Sequence, residues 1–233
     1  MNLVVFGANG PTGHLLTNQA LAEGHTVTAF TRHPEIFPLQ QERLRVLRGD
    51  LVDLTSVEPA VRGQDAVLST FGVPYSNKPI AEFSNGTSHI IQAMDHNQVR
   101  RLVCVSSSVM DSQVRYHDTG GGFIFEKIMK PFVINVIGRT AYEDTQRMET
   151  LVMNSDLDWT IVRPSGLFET SEVTDYRVAE TFVGRFTSRT DLADCMLREL
   201  EYNHYLHKTM MVATVSAQPN MFQLIMKEAF QKR

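Results

Sequence analysis

Short apolar runs rich in valine, isoleucine and threonine alternate along the chain with longer amphipathic stretches, a pattern that predicts strands separated by helices. The first half carries it most clearly. Strands are predicted at Asn2–Phe6, Thr26–Thr31, Leu44–Leu47, Ala66–Thr70 and Arg101–Ser106, with helices between them, Thr12–Glu23 and Glu82–Asn97 above all. A helix over Tyr142–Asn154 leads into a sixth parallel strand, Asp158–Arg163. Ser188-Arg189-Thr190-Asp191 reads as the capping signal of a helix over Arg189–Glu201, and the strand Lys208–Ala213 and the helix Met221–Phe230 complete the chain. This βαβ succession implies an α/β fold, a doubly wound parallel sheet covered on both faces. Right-handed crossovers then bring the strand C-termini to one edge, where ligands bind.

Two segments break the alternation. Residues 112–139 contain Gly120-Gly121-Gly122 followed by an apolar run from Phe123 to Ile137, and residues 168–186 form the second connection. Both follow strand ends on the ligand edge, and connections of that length in a compact domain are usually functional. They read as substrate-side insertions, one of them a lid; a contact within a homodimer, or a helix packed on the body, is the other reading.

With 233 residues, 42% of them apolar and 21% charged, the chain fits one domain, 1–233, with a small C-terminal substrate-side portion. A formal charge of -4 and the lack of a basic run give no reason to expect nucleic acid as a partner. Cys104 and Cys195 sit in apolar segments and form no Cys-x-x-Cys pair, as expected of buried thiols in a reducing compartment. Met1 is followed at once by strand-like sequence, leaving no room for an export leader, and no apolar stretch has the length to span a bilayer. A cytoplasmic location without membrane association is the expectation.

Chemistry enters at the strand ends. Gly7-Ala8-Asn9-Gly10-Pro11-Thr12-Gly13 directly follows the first strand and opens the first helix, the context in which a glycine pattern signals a Rossmann-type dinucleotide site. Gly7 permits the tight turn, Gly10 lets the backbone approach a pyrophosphate, Gly13 allows close helix packing, and the helix N-terminus faces the phosphates. After the second strand comes Thr31-Arg32-His33, with no carboxylate to hold ribose hydroxyls. A guanidinium there suits a 2'-phosphate, favouring NADP (NADPH) over NAD; a solvated loop charge is the alternative. Asp50 and Leu51 after the third strand are placed to read adenine, and Thr70, Phe71 and Gly72 after the fourth to shape the adenosine passage.

Together with Ser106-Ser107 and Leu157-Asp158-Trp159-Thr160-Ile161-Val162-Arg163-Pro164, these stretches resemble the atypical short-chain dehydrogenase/reductases that bind NAD(P)H. The likeness is to the NmrA-like and flavin reductase/biliverdin-IXβ reductase group, and extends to Asp144-Thr145-Gln146-Arg147-Met148 and Ser188-Arg189-Thr190-Asp191-Leu192. The resemblance implies that Ser106 and Ser107 lie beside the nicotinamide ribose, with Ser107 also able to contact substrate. It implies too that Pro164, Ser165 and the backbone through Leu167 flank the carboxamide. Pro164 ends its strand, and the N–H groups after it are expected to be free for a ligand.

One departure matters. Many short-chain dehydrogenases place Tyr-x-x-x-Lys on the helix before the last of these strands, where the cation eases proton transfer from the phenol. Here Tyr142 is followed four residues on by Gln146, and a register set by Glu149 gives Ala141 and Thr145. Flat acceptors suit a site without that pair, because the cofactor carries the reaction and the protein mainly holds the two rings together. A flavin, quinone or tetrapyrrole is therefore the expected substrate class. Phe123, Phe125, Phe132 and Phe168 are candidate pocket walls, and Ser107, Tyr142 and Arg147 candidate catalytic side chains, although Arg147 also reads as a surface charge paired with Glu143 or Glu149. Tyr116-His117-Asp118 reads as an exposed turn or a proton donor; His204 and His207 lack a third metal ligand. Two further readings stay open: a non-catalytic NADP redox sensor that regulates a partner protein, and a tailoring enzyme of a polycyclic, polyketide-type metabolite.

Overall fold

The structure is a computed structural model and describes residues 1–72, 80–123, 125–132, 138–216 and 219, with the side chains of 125, 129 and 132 left undescribed. In chain order the elements are β1 (Asn2–Phe6), α1 (Pro11–Ala22), β2 (Thr26–Thr31), β3 (Leu44–Arg48), α2 (Leu54–Val61), β4 (Ala66–Ser69), α3 (Glu82–Asn97), β5 (Arg101–Val105), α4 (Ser112–Tyr116), α5 (Lys130–Phe132), α6 (Arg139–Met153), β6 (Asp158–Pro164), β7 (Gly166–Phe168), β8 (Tyr176–Ala179), β9 (Phe186–Ser188), α7 (Arg189–Tyr202) and β10 (Lys208–Thr214). Short 3-10 turns lie at Pro34–Ile36 and Ser108–Met110, and a π-helical turn at Phe125–Met129. The expected helix Met221–Phe230 lies outside the described residues.

Eight strands form one sheet in the order β3-β2-β1-β4-β5-β6-β10-β8, all parallel except β8, which runs antiparallel to β10. The doubly wound parallel sheet expected from the sequence is thus present. Side chains alternate across it as strand geometry requires. Leu3 and Val5 pack with Leu16, Ala20, Leu192 and Met196 on the face covered by α1 and α7. Val4 and Phe6 pack with Val57, Ile90, Met94, Met148 and Val152 under α2, α3 and α6. Each of these buried Val, Leu, Ile, Phe and Met side chains contributes about 1.5–3 kcal/mol relative to exposure. β1 is apolar on both sides because both sides are covered.

Winding starts at β1, proceeds outward through β2 and β3, then returns to β4 on the other side of β1. That reversal opens a crevice at the C-terminal ends of β1 and β4, the place where sheets of this kind take ligands. The stretch read as the second insertion is partly strand. β7 pairs with β9 in a separate ribbon, and β8 closes the sheet edge beyond β10.

Candidate dinucleotide site

At the crevice the chain leaves β1 through Gly7, whose φ of +78° lies in the left-handed region, and a side chain there would meet the Phe71 amide nitrogen at 2.7 Å. Thr70 closes the same contact from β4: its amide donates to Phe6 O at 3.0 Å and its hydroxyl to Phe6 O at 3.2 Å. Gly13 packs α1 onto the turn so tightly that a Cβ would stand 2.2 Å from Gly7 O. The turn itself is closed by Gly10 N–H donating to Gly7 O at 2.9 Å. Gly10 is the N-cap of α1 and supplies no side-chain cap, and Pro11 has no N–H. Helix geometry leaves the N–H groups of Thr12 and Gly13 without intrahelical acceptors.

The donors at the mouth of α1 are uncapped, which fits a diphosphate. Asn9 in the same turn spends its Nδ2 on His33 O at 3.3 Å, and its buried Oδ1, without a partner among the described residues, is an acceptor and offers nothing to an anion. Thr12 Oγ1 accepts from Arg189 Nη1 at 3.2 Å, bringing a cation to the same helix end. One strand spacing away, about 5 Å, Arg32 follows β2, exposed and without an ion pair among the described residues. Its carbonyl accepts from Arg48 Nη1 at 3.0 Å, and Arg48 pairs with Glu35 at 2.8 Å. After β3, Asp50 Oδ1 accepts from the Val52 amide at 3.2 Å, and Leu51 is buried with its carbonyl bonded to His89 Nδ1 at 2.7 Å. Phe71 packs edge-on against Phe83, with centroids 5.8 Å apart, and Gly72 is exposed with open space beside it.

On the other side of the crevice Ser106 and Ser107 follow β5. Ser106 Oγ donates to Glu149 Oε1 at 2.6 Å, and the Glu149 carboxylate is gripped on both oxygens by Arg163, Nε at 2.9 Å and Nη2 at 2.7 Å. Glu149 is almost fully buried, yet no sequence reading placed it in the site. Ser107 caps the turn that follows, its Oγ accepting from the Val109 amide at 3.4 Å. Tyr142 is buried on α6, a helix with no lysine.

Arg147 is committed elsewhere. Its guanidinium donates to Ile80 O at 2.8 Å and pairs with Asp144 at 3.1 Å. Asp144, wholly buried, in turn accepts from the Phe83 and Ser84 amides at 2.8 and 3.4 Å and so caps α3 from a neighbouring helix. The expectation that amides after Pro164 are free is corrected. The Ser165 amide donates to Thr187 Oγ1 and the Gly166 amide to Arg185 O, both at 2.9 Å, because the β7–β9 ribbon that holds Leu167 captures them. Of the proposed aromatic walls, Phe168 is half-buried in β7 and Phe123 is 76% exposed, while the side chains of Phe125 and Phe132 lie outside the described residues.

A family model described as NAD(P)H-binding matches residues 7–203, a span that runs from the glycine turn through α7. The chain belongs to the NAD(P)H-binding family. Among solved structures, this NAD(P)H-binding chain is similar to a short-chain dehydrogenase/reductase from Veillonella parvula in complex with NADP (18% identity, 92% of this chain and 95% of that one, TM-score 0.76). ChuY, an anaerobillin reductase from Escherichia coli O157:H7, is also similar (19% identity, 94% and 100%, TM-score 0.76). At that identity the likeness speaks to the fold. Cinnamoyl-CoA reductase 2 from Medicago truncatula is 33% identical over 114 residues, 44% of this chain and 34% of the relative, so the match covers about a third of that protein. The expected NAD(P)H-binding family is borne out, and so is the expected Rossmann-type fold. Among the described residues no helix is long and apolar enough to cross a membrane.

Beyond Ser107 the chain folds over a buried carboxylate. Glu126 Oε1 accepts from the Thr119 and Gly121 amides at 2.9 and 3.0 Å and from the Thr119 hydroxyl at 2.5 Å, and Lys130 meets Oε2 at 3.0 Å. Burial opposes its charge, but the bonds from Thr119, Lys130 and Gly121 outweigh it and hold the carboxyl at about 2, below its ordinary 4.5. The folded-state value is the lower one, so its contribution is whole above pH 4.5 and lost as pH falls toward 2. Amide resonances of Thr119 and Gly121 are expected to hold their positions to pH 4 and shift together below pH 3. In Glu126→Gln that joint acid transition disappears.

Proposed function

We propose that this chain is an NADPH-dependent oxidoreductase that reduces a planar aromatic acceptor, a flavin, a quinone or a tetrapyrrole. The uncapped mouth of α1 beside Arg32, which makes no ion pair among the described residues, is the observation that carries it. The diphosphate lies on the Thr12 and Gly13 amides, the adenosine runs over Asp50, Leu51 and Thr70–Gly72, and Arg32 clasps the 2'-phosphate. The nicotinamide half lies toward Ser106, two strand spacings or about 10 Å along the sheet edge from Gly7. When bound, the reduced cofactor supplies the two electrons of the reduction as a hydride. The protein's part is to orient the rings, and Ser107 offers a hydroxyl to the acceptor. That ChuY is described as an anaerobillin reductase supports the tetrapyrrole within this acceptor class.

Oxidation of NADPH followed against a panel of flavins, quinones and linear tetrapyrroles tests the reading. Turnover of at least one is expected. Tight NADPH binding with no turnover across the panel would instead favour a redox sensor, a reading motivated by the helix α6 that has no lysine. Arg32→Ala is expected to weaken NADPH about 10- to 100-fold while changing NADH less than threefold, the worth of one charge-assisted phosphate contact. Equal losses for both nucleotides would remove the 2'-phosphate assignment.

A further inference from the structure

A serine hydroxyl has one proton to donate and two lone pairs to offer. At Ser106 the proton is committed. Its Oγ lies 2.6 Å from Glu149 Oε1, and both carboxylate oxygens are already held by Arg163, so the carboxylate can only accept and the hydroxyl must donate. The arrangement is stiff on every side. The Ser106 amide is fixed to Val162 O at 2.8 Å, the Arg163 side chain is 12% exposed and that of Glu149 7% exposed. Rotating the hydroxyl toward a ligand acceptor would strand a buried charge-assisted bond, whereas accepting a bond from a ligand costs nothing of the kind. Ser107 is the opposite case. Its oxygen accepts weakly from Val109 N at 3.4 Å, and its proton has no acceptor among the described residues.

We infer that the Glu149–Arg163 pair sets the polarity of Ser106, locking it as an acceptor for a donor group on the nicotinamide half of the cofactor, while the adjacent Ser107, outside that network, is left as the donor toward substrate. Resting on the NAD(P)H reading above, it adds Glu149 and Arg163 as positioning residues acting through Ser106. The ligand group that meets Ser106 must carry a proton, which selects a ribose hydroxyl or a carboxamide N–H and rejects a carbonyl or phosphate oxygen.

Binding of two probes by calorimetry distinguishes the outcomes: NADPH, and adenosine 2',5'-bisphosphate, which lacks the nicotinamide half. Ser106→Ala should weaken NADPH about tenfold, one hydrogen bond's worth, and leave the bisphosphate within twofold, while Ser106→Thr restores NADPH binding. Glu149→Ala removes the acceptor that commits the Ser106 proton and should cost NADPH as much, with no further loss in the Ser106→Ala/Glu149→Ala double variant. Ser107→Ala should lower kcat while changing neither affinity by more than twofold. NADPH affinity unchanged in Ser106→Ala overturns the assignment alone, as do additive losses in the double variant. Wild-type protein that takes up neither probe overturns the cofactor reading and this one with it.

Discussion

Gly13→Ala is expected to lower stability by about 2–3 kcal/mol, the upper range for overpacking a filled site, and to weaken NADPH binding at least tenfold. The added methyl would sit 2.2 Å from Gly7 O and 2.7 Å from Ala8 Cα, both backbone atoms, so neither can swing aside as a side chain would. Relief requires moving α1 away from the turn, which opens the N–H cradle. Gly10→Ala makes an instructive partner, because its methyl would meet only Gly7 O, at 3.2 Å. Its stability should fall by less than 1 kcal/mol; any loss of binding comes from crowding the ligand itself. Thermal denaturation with nucleotide titration separates the two, and a Gly13→Ala protein that melts and binds like the wild type would refute the packing account.

The second large effect is at Asp144. Removing its carboxylate in Asp144→Ala strips acceptors from the Phe83 and Ser84 amides and the Ser84 hydroxyl, and leaves a polar void at a site of 0% exposure. A loss of about 2–4 kcal/mol is expected, combining a forfeited cap with unsatisfied buried donors. Arg147→Ala removes the other member of the pair but from a side chain 53% exposed, so its cost should stay near 1 kcal/mol or below. Urea denaturation of the two variants tests the asymmetry. Equal losses would mean that Arg147, not the cap on α3, carries the energy.

The parallel strands were legible because strands buried on both faces are apolar along most of their length, as in Leu3–Phe6 of β1, Ala66–Leu68 of β4 and Leu102–Val105 of β5, while β2 and β6 add β-branched Thr28 and Thr160 to the same pattern. The glycine turn was legible for the same kind of reason, since few residues tolerate what Gly7 and Gly13 are asked to do. The ribbon β7–β9 and the antiparallel β8 were not. Phe168, Tyr176 and Phe186 sit in strands of three or four residues with mixed exposure, too short for a period to show. The partnerships of α6 were hidden by sequence distance: Asp144 serves Ser84, sixty residues earlier, and Glu149 serves Ser106, forty-three earlier. A trace of them exists in the sequence, however. Asp144 and Glu149 fall on the same helix face as Met148 and Val152, and Arg163 interrupts an apolar strand, which together marks buried charges that must find each other.

The strut between α7 and α1, in which Arg189 reaches Thr12 and Gln19 Nε2 donates to Thr190 O at 3.1 Å, has a bearing on biosynthesis. The glycine turn and α1 precede this brace by roughly 175 residues, about 10–35 s of synthesis at ordinary elongation rates. A nascent chain therefore carries α1, with Leu16 and Ala20, without its α7 partner for that whole interval.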